Sequence, residues 1–482
     1  MCLISDLSRT ALEQMMDEHQ IVDAKPRKGR VFNAPWERAF DRILTPFEEF
    51  IHRQTTSGVL LMICAIVALI IANSNWFEQY SQLLATKAGF AFGDGGLKMS
   101  VHHWVNDGLM AFFFFHVGLE LKRGFLVGEL STVKHATLPI MAAIGGMVFP
   151  ALIYYAFNPS GMGAAGWGIP MATDIAFAVG TCALLGGRVP KSLIAFLVAL
   201  AIVDDLGAIA VIAIFYTEDI NQFALLMSLV CIAFLWFLNW WGIRRPLPYL
   251  VVGVMLWMQL HEAGIHATLA GVITAFAVPA KPKYNPVAFS SQVKDLIRRF
   301  DSSYRPGEKI LRNEHMRAYV RALGDGAQLA EAPLQRIETA LHLPVTYIVI
   351  PVFALANAGI PLAGFAGETE IFNNITLGVT LGLVLGKLIG IAGATWVGWK
   401  LGLGELPTGC NFLHIVGIAF LGGIGFTMSI FIAELAFEGV ADGLVLAKAG
   451  VIIASLLAGI AGFICLAKAS PKVKAKPEEQ EA

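Results

Sequence analysis

Long apolar segments dominate the chain and restrict the folds that it can adopt. After a polar stretch of about 55 residues, twelve apolar segments follow one another, separated by short loops and one long charged connection. A helix of about 20 mainly apolar residues crosses a bilayer, and its backbone polar groups are satisfied internally. The sequence therefore predicts an all-α polytopic membrane protein with twelve transmembrane helices. In chain order the segments are 58–73, 103–121, 136–157, 168–186, 192–216, 223–241, 248–260, 264–279, 344–360, 375–399, 412–437 and 444–466.

The composition agrees with a membrane protein and argues against several other classes. Only 15% of the 482 residues are charged and 56% are hydrophobic, whereas a soluble domain is about 25% charged. The net charge of −1 provides no basic field, so no nucleic-acid partner is expected. The six cysteines are scattered without metal-binding spacing, and no cofactor is expected. The first 50 residues have no apolar signal-peptide core, so no cleaved signal peptide is expected.

Lysine and arginine occupy alternate loops. The loops after segments two, four, six, eight and ten contain them, whereas those after segments three, five, seven, nine and eleven contain none. Cytoplasmic loops are enriched in these residues, so both termini are predicted in the cytoplasm; the first outer loop, with Lys87 and Lys98, is the exception. The predicted divisions are a cytoplasmic N-terminal leader (1–55), helices one to eight (56–280), a cytoplasmic insertion or connector (281–340), helices nine to twelve (341–467) and a cytoplasmic tail (468–482).

Two adjacent aspartates, Asp204 and Asp205, lie in the middle of the fifth apolar segment. Each costs roughly 2.5–3.5 kcal/mol at the centre of a membrane helix. Charges at this depth usually face a protein interior or a water-filled cavity and mark ion or proton paths. Because neighbouring residues project about 100° apart on a helix, both carboxylates can reach one cavity. The alternative is a structural pair satisfied by a buried cation or by backbone groups.

The fourth and eleventh segments contain residues that interrupt helices. Pro170, Thr173 and Asp174 occur together in the fourth segment, and a glycine-rich stretch, 422–425, occurs in the eleventh. Broken helices are tolerated in lipid where they are buried or line a cavity, and paired interruptions in corresponding positions of two halves indicate a transporter binding site. The alternatives are a proline kink in the fourth segment and close glycine packing in the eleventh.

Lys387 lies about midway along the tenth segment and needs a partner there. The three mid-membrane carboxylates are the natural candidates. Burial disfavours the charged form of each group and pairing opposes that effect, and this balance permits proton exchange near neutral pH. The alternative is a static charge pair, which is compatible with proton carriage.

Other polar residues are less informative by themselves. Glu120, Lys122 and Arg123 form a charged cluster at the cytoplasmic end of the second segment, as solvated helix ends often do. A single histidine such as His266, at the start of the eighth segment, is most often structural. His261 and His266 are five positions apart and therefore do not form an HExxH zinc motif.

Eight short stretches carry a family resemblance. They are WVNDGLM (104–110), VGLELKR (117–123), ATDIAFA (172–178), ALAIVDDLGAI (199–209), HATLAG (266–271), FALANAG (353–359), LGKLIG (385–390) and GIGFTMSIFIA (423–433). In this order, over about residues 55–467 without the connector, they resemble the NhaA family of bacterial sodium/proton antiporters.

The resemblance implies a fold and a function. The fold would have twelve helices, with NhaA-like inverted repeats relating helices three to five to helices ten to twelve, and two broken helices crossing at the midplane. The function would be electrogenic Na⁺(Li⁺)/H⁺ antiport by alternating access, with proton influx extruding sodium and regulating intracellular pH and sodium. The chain would be a secondary active transporter of the bacterial inner membrane and not an enzyme. Its partners would be Na⁺ or Li⁺, H⁺ and the lipid bilayer, while a homodimer stays open.

The resemblance also implies residue roles. Asp205 would be the principal ion-binding carboxylate, and Asp204 its partner, paired with Lys387 when the ion is absent; these two aspartates would hold the transported Na⁺. Thr173 and Asp174 would support the site. Residues implied in the pH response are Glu120, Lys122, Arg123, His266, Glu338 and His342. Gly124 stands where the family often has a glutamate, and Glu434 and Lys448, towards the outer ends of segments eleven and twelve, have no counterpart.

Two other membrane functions are alternatives. An intramembrane aspartyl protease needs aspartates on two helices, one in a Gly-x-Gly-Asp context, but here Gly425 is followed by Phe426 and the two closest acids are neighbours. A sodium-coupled symporter of organic anions needs a cationic or polar substrate pocket, which the segments do not offer beyond Lys387.

Overall fold

The described part of the chain is helical apart from one hairpin. The computed structural model describes residues 54–92, 95–128, 133–216, 220–282, 285–304, 312–361 and 373–470. The predicted leader lies almost wholly outside these ranges, and most of the predicted tail does too. The predicted all-α class is confirmed. The hairpin, which was not predicted, pairs β1 (Lys87–Phe92) with β2 (Gly95–Ser100) in antiparallel register in the first predicted outer loop.

The helices are numbered in chain order. The first group is α1 (Gln54–Ala72), α2 (Phe77–Ala85), α3 (101–126, with a π-helical turn at Trp104–Leu109), α4 (Val133–Phe157), the 3-10 helix α5a (Met162–Met171), α5b (Ile175–Leu184), α6 (Lys191–Phe215), α7 (Gln222–Trp240), α8 (Pro246–Glu262) and α9 (Leu269–Ala277). The second group is α10 (Pro286–Ser302), α11 (Glu314–Ala330), α12 (Pro333–Asn357), α13 (Asn374–Lys400), α14a (Phe412–Gly422), α14b (Phe426–Ala436) and α15 (Ala441–Ala469).

The number of membrane-spanning helices supports a multi-pass protein. Among the described residues, six helices are long and apolar enough to cross a bilayer, and nine are if each bent pair counts as one span. The bent pairs are α1 with α2 (110°), α5a with α5b (45°) and α14a with α14b (42°). Helices α3, α8 and α9, in the predicted segments two, seven and eight, are not among the nine. The count of twelve therefore stays a prediction.

Helix α13 lies in the interior of the bundle and α7 at its periphery. In the most apolar 18-residue stretch of α13, 61% of the residues are buried, compared with 22% in the corresponding stretch of α7. Helix α13 packs against α4 with backbone contact, because a Cβ on Gly390 would overlap the Gly145 carbonyl oxygen. Two π-helical turns, Gly382–Gly386 and Leu388–Ala392, flank Lys387 in α13. Such turns are frequent at functional sites, and here they bring a lysine into the core.

The predicted connector, residues 281–340, contains α10 and α11 and the first part of α12. Asparagine side chains begin both of its helices: Asn285 Oδ1 accepts from the Ala288 amide at 2.7 Å, and Asn313 Oδ1 accepts from the Met316 amide at 3.1 Å. Helix α12 continues without a break from the connector into the predicted ninth segment, so the predicted boundary at residue 340 falls inside one helix.

Candidate functional site

The breaks in α5 and α14 contact each other in the core. The Asp174 amide donates to the Ile424 carbonyl oxygen at 2.6 Å, and Thr173 Oγ1 donates to the Gly422 carbonyl oxygen at 2.8 Å. Helix ends leave backbone groups without partners inside their own helix. Each break therefore satisfies polar groups that the other leaves open, although the two are about 250 positions apart in the sequence.

The two breaks also need a small residue at the contact. A Cβ on Gly425 would overlap Ser429 Oγ and would lie 3.0 Å from the Ala172 carbonyl oxygen. Ser429 Oγ itself donates to the Ile169 carbonyl oxygen at 2.8 Å, which ties α14b to α5a. The glycine-rich stretch therefore serves close approach between the two breaks as well as the interruption of the helix.

Asp174 caps two half-helices with one carboxylate. Its Oδ1 accepts from the Phe177 amide at 3.0 Å at the start of α5b. Its Oδ2 accepts from the Thr427 amide at 3.1 Å and from Thr427 Oγ1 at 2.7 Å at the start of α14b. Helix N-termini carry partial positive charge and stabilise a carboxylate. The Asp174 carboxylate, 2% exposed, is therefore held by its neighbours through both oxygens.

Lys387 donates three hydrogen bonds in the core. Its Nζ donates to Asp204 Oδ2 at 2.6 Å, to Thr173 Oγ1 at 3.0 Å and to the Met171 carbonyl oxygen. Met171 ends α5a, and a cation near the C-terminal end of a helix is stabilised by its carbonyl groups. Because an ammonium has three donors, Lys387 is fully satisfied, and the partner is one of the three carboxylates that the sequence offered.

Asp205 is buried without a hydrogen-bond partner among the described residues. It is 1% exposed, and neither of its oxygens accepts a hydrogen bond; the same holds for Oδ1 of Asp204. A buried ionised carboxylate without a partner is strongly unfavourable. Asp205 also lies within electrostatic range of two further buried carboxylates and of Glu120. Both oxygens of Asp205 and Oδ1 of Asp204 therefore form a site that favours binding of either protons or a cation.

The residues implied in the pH response fall into two places. On α3, Lys122 Nζ donates to the Phe276 carbonyl oxygen at 2.6 Å and to that of Val278, at the end of α9. Arg123 Nε lies 3.0 Å from Glu338 Oε1 of α12. Glu120 lies one turn before Arg123 on α3.

His342 is close to the same cluster, whereas His266 is separate from it. The His342 ring lies 5.8 Å from that of His116 on α3. His266 Nε2 lies 2.5 Å from the Tyr216 carbonyl oxygen at the end of α6, and it lines a pocket of about 520 Å³. The structure therefore places Glu120, Arg123, Glu338 and His342 at the α3–α12 contact. Lys122 lies beside them at the end of α9, and His266 lies elsewhere.

A polar network near this pocket was not predicted. Glu434 Oε1 lies 2.5 Å from Lys448 Nζ and 3.6 Å from His102 Nε2. His102 Nε2 in turn lies 3.0 Å from Asn357 Oδ1, and Asn357 Nδ2 donates to Asn106 Oδ1 at 2.7 Å. The sequence signal for this network was Glu434 in the eleventh apolar segment and Lys448 in the twelfth. These two residues form an ion pair between α14b and α15.

The comparisons with known proteins agree with the resemblance seen in the sequence. Residues 48–466 match the family described as Na⁺/H⁺ antiporter 1. The Na⁺/H⁺ antiporter NhaA of Sulfurimonas denitrificans is 52% identical over 433 residues, which cover 90% of this chain and 97% of the relative. NhaA 1 of Saccharophagus degradans is 51% identical over 90% of this chain and 93% of its own length. NhaA of Syntrophobacter fumaroxidans is 45% identical over 97% of this chain and 99% of its own length. The chain therefore belongs to the NhaA family of Na⁺/H⁺ antiporters, which are multi-pass membrane transporters.

Proposed function

We propose that the chain is an electrogenic Na⁺(Li⁺)/H⁺ antiporter in which cation and protons compete for the same buried aspartates. The observation that carries this proposal is Asp205, which is buried beside the Asp204–Lys387 ion pair and whose two oxygens accept no hydrogen bond from any described residue. Hard cations take oxygen ligands. Both oxygens of Asp205 and Oδ1 of Asp204 supply three such ligands, and proton binding to the same oxygens blocks the cation.

Lys387 provides the second charge-sensitive group of the proposed exchange. It lies 2.6 Å from Asp204 Oδ2, so a cation that binds at the aspartates adds positive charge beside the ammonium. Repulsion between the two positive charges then favours either separation of the Lys387 ammonium from Asp204 or loss of a proton from the ammonium. Exchange of more than one proton per sodium ion moves net charge across the membrane, which makes the transport electrogenic.

The broken helices supply the moving parts of the proposed alternating access. The breaks of α5 and α14 meet at the site, with Asp174 at the N-termini of two half-helices. Each is the middle helix of three, α4 to α6 and α13 to α15, which supports inverted repeats within a twelve-helix fold whose broken helices cross at the midplane. Rotation of these two groups against the remaining helices would open the aspartates to one side at a time.

The α3–α12 contact is the proposed site of pH response. Glu120 lies within electrostatic range of Asp205, so protonation of the cluster that contains Glu120 would change ion binding at the aspartates. The proposed pH-response set comprises Glu120, Lys122, Arg123, Glu338 and His342 at or beside this contact, and His266, which lies apart from it at the pocket. The basic loops favour a position for this cluster at the cytoplasmic side of the inner membrane, with both termini on that side. In the cell, the exchange would extrude sodium and regulate pH.

The proposal is tested by Asp205→Asn in inside-out membrane vesicles loaded with a pH-sensitive dye. The amide keeps the size of the side chain and removes its charge, so we expect no Na⁺- or Li⁺-driven pH change while expression and insertion stay normal. Asp325→Asn on α11, where the aspartate is exposed, is the matched control and keeps full exchange. Full exchange by Asp205→Asn would refute the assignment of the site.

A further inference from the structure

We propose that His103, Asp107 and His261 form a binding site for a divalent transition metal, with Zn²⁺ as the best fit. None of these residues contributes to the proposed ion-exchange site. The proposal does not depend on the transport function, because it concerns a separate group of side chains on α3 and α8.

The three ligand atoms are close enough to converge on one ion, and both histidine nitrogens lie near the spacing that a tetrahedral ion requires from the carboxylate oxygen. His103 Nε2 lies 3.1 Å and His261 Nδ1 lies 3.6 Å from the same oxygen, Asp107 Oδ2. All three atoms lie within 4.8 Å of one another. Ligands at about 2.0–2.1 Å from a tetrahedral Zn²⁺ are about 3.3 Å apart, so the two distances to the carboxylate lie on either side of the required value.

The chemistry of the three ligands selects among metals. Two imidazoles and one carboxylate are a ligand set of open zinc sites, in which the fourth position holds water. Imidazole also suits Cu²⁺ and Ni²⁺, whereas Mg²⁺ and Ca²⁺ prefer oxygen ligands. All three side chains are partly exposed and line the pocket of about 520 Å³, which gives an ion a path from water.

The surrounding structure holds the ligands in place. His103 and Asp107 are four positions apart at a π-helical turn of α3, and such turns are frequent at functional sites. The His261 ring stacks on Trp257, with ring centres 6.1 Å apart and planes 9° apart. Trp257 stacks in turn on Trp104 at 5.7 Å and its Nε1 donates to the Asp107 carbonyl oxygen at 3.3 Å. The site is therefore preorganised by aromatic packing from both helices.

The alternative is an ion pair without a metal, in which Asp107 accepts hydrogen bonds from one or both histidines. The same carboxylate oxygen serves both rings, so the geometry suits either arrangement. A metal-binding experiment separates the two, because an ion pair alone gives no saturable binding of Zn²⁺ and no metal spectrum.

The test uses the full chain, purified without a histidine tag, treated with a chelator and desalted in detergent. Titration calorimetry with Zn²⁺ is expected to show one tight site per chain, and Co²⁺ in its place is expected to give the visible bands of a four-coordinate ion, which Zn²⁺ then removes. The Co²⁺ spectrum tests the proposal on the wild-type chain alone. A wild-type protein without these bands and without saturable Zn²⁺ binding would overturn the proposal.

Variants locate the site. His103→Gln and His261→Gln are each expected to weaken Zn²⁺ binding by about 100-fold or more, beyond the 10–100-fold that losing a hydrogen-bond partner of a ligand costs. His315→Gln is the matched control, since His315 is exposed on α11 and far from the pocket residues in the sequence. Size-exclusion profiles check folding, and His261→Ala is the second variant if one glutamine variant aggregates. Unchanged binding in both ligand variants, or equal weakening in His315→Gln, would also overturn the proposal.

Discussion

The Lys387 ammonium lies 2.6 Å from Asp204 Oδ2, and neither side chain is exposed to solvent. The pair neutralises one of two adjacent carboxylates and leaves the other, Asp205, without a hydrogen-bond partner among the described residues. Adjacent aspartates on one helix are thus in different electrostatic situations. Asp204 is paired with a cation of the protein, whereas Asp205 has no such direct partner among the described residues, as the proposed cation and proton site requires.

Removing the lysine should alter proton coupling. In Lys387→Ala, the Asp204 carboxylate loses its buried partner, and loss of one member of a buried ion pair costs about 3–5 kcal/mol. We expect lower thermal stability and a loss or weakening of proton coupling, with a changed dependence of transport on membrane voltage. Current and flux recordings in proteoliposomes measure this. Lys294→Ala, at an exposed position of α10, serves as the control; unchanged voltage dependence in Lys387→Ala would argue against the role of the lysine.

The contact between Asp174 and Thr427 should support both stability and ion affinity. Thr427→Ala removes the hydroxyl donor at 2.7 Å and keeps the backbone donor. Loss of a hydrogen bond to a buried group costs about 1–3 kcal/mol, so we expect a lower melting temperature and a higher KM for sodium. Thr427→Ser keeps the hydroxyl and is expected to stay close to the wild type. Equal behaviour of the two variants would show that the hydroxyl has no such role.

Gly425 should be essential for the contact between the two breaks. Gly425→Ala places a methyl group against Ser429 Oγ, so this hydroxyl must turn away and its hydrogen bond to the Ile169 carbonyl oxygen is disturbed. The methyl group also lies 3.0 Å from the Ala172 carbonyl oxygen, which crowds the contact between the breaks. We expect inserted protein with little or no exchange. Gly324→Ala on α11 is the matched control, because an added methyl there meets no atom within 4 Å and alanine favours a helix. Normal exchange by Gly425→Ala would mean that the contact is not required for transport.

The pair of Arg123 and Glu338 should set the pH profile more than the stability. Arg123 is 54% exposed in this pair and Glu338 is 14% exposed, so solvent screens the guanidinium and the pair contributes little more than the roughly 0–1 kcal/mol typical of exposed ion pairs. Glu338→Gln removes a negative charge and leaves Arg123 without its carboxylate, so protons bind neighbouring groups more weakly. We expect the pH of half-maximal transport to move to lower values at nearly unchanged melting temperature. Asp295→Asn, which breaks the exposed pair with Arg299, should leave the pH profile in place; an unmoved profile in Glu338→Gln would exclude this pair from the response.

Much of the fold was visible in the sequence because its signals are local. The apolar segments, Pro170 with Asp174, and the glycine-rich stretch each predict a helix or an interruption from neighbouring residues, and both interruptions occur in the structure. The adjacent aspartates and Lys387 stand out because charge is rare in apolar segments. Family resemblance then supplied the partner of Lys387, which the residues alone left open among three candidates.

The features that were missed depend on contacts between distant positions. Asp174 and Thr427 are 253 positions apart, and nothing near either residue shows that one carboxylate caps two half-helices. His103 and His261 lie on different helices and meet at Asp107, so the spacing of histidines within one helix carried no signal. The β-hairpin similarly follows from strand pairing rather than from composition.

The most direct measurement follows sodium and protons at the same time in proteoliposomes that contain the purified chain. A sodium gradient is applied, sodium uptake is measured with a tracer, and proton movement is measured with a pH dye on the opposite side. Sodium entering only in exchange for protons, with more than one proton leaving for each sodium ion, is the expected result. Sodium uptake without proton counterflow would contradict competition at Asp204 and Asp205.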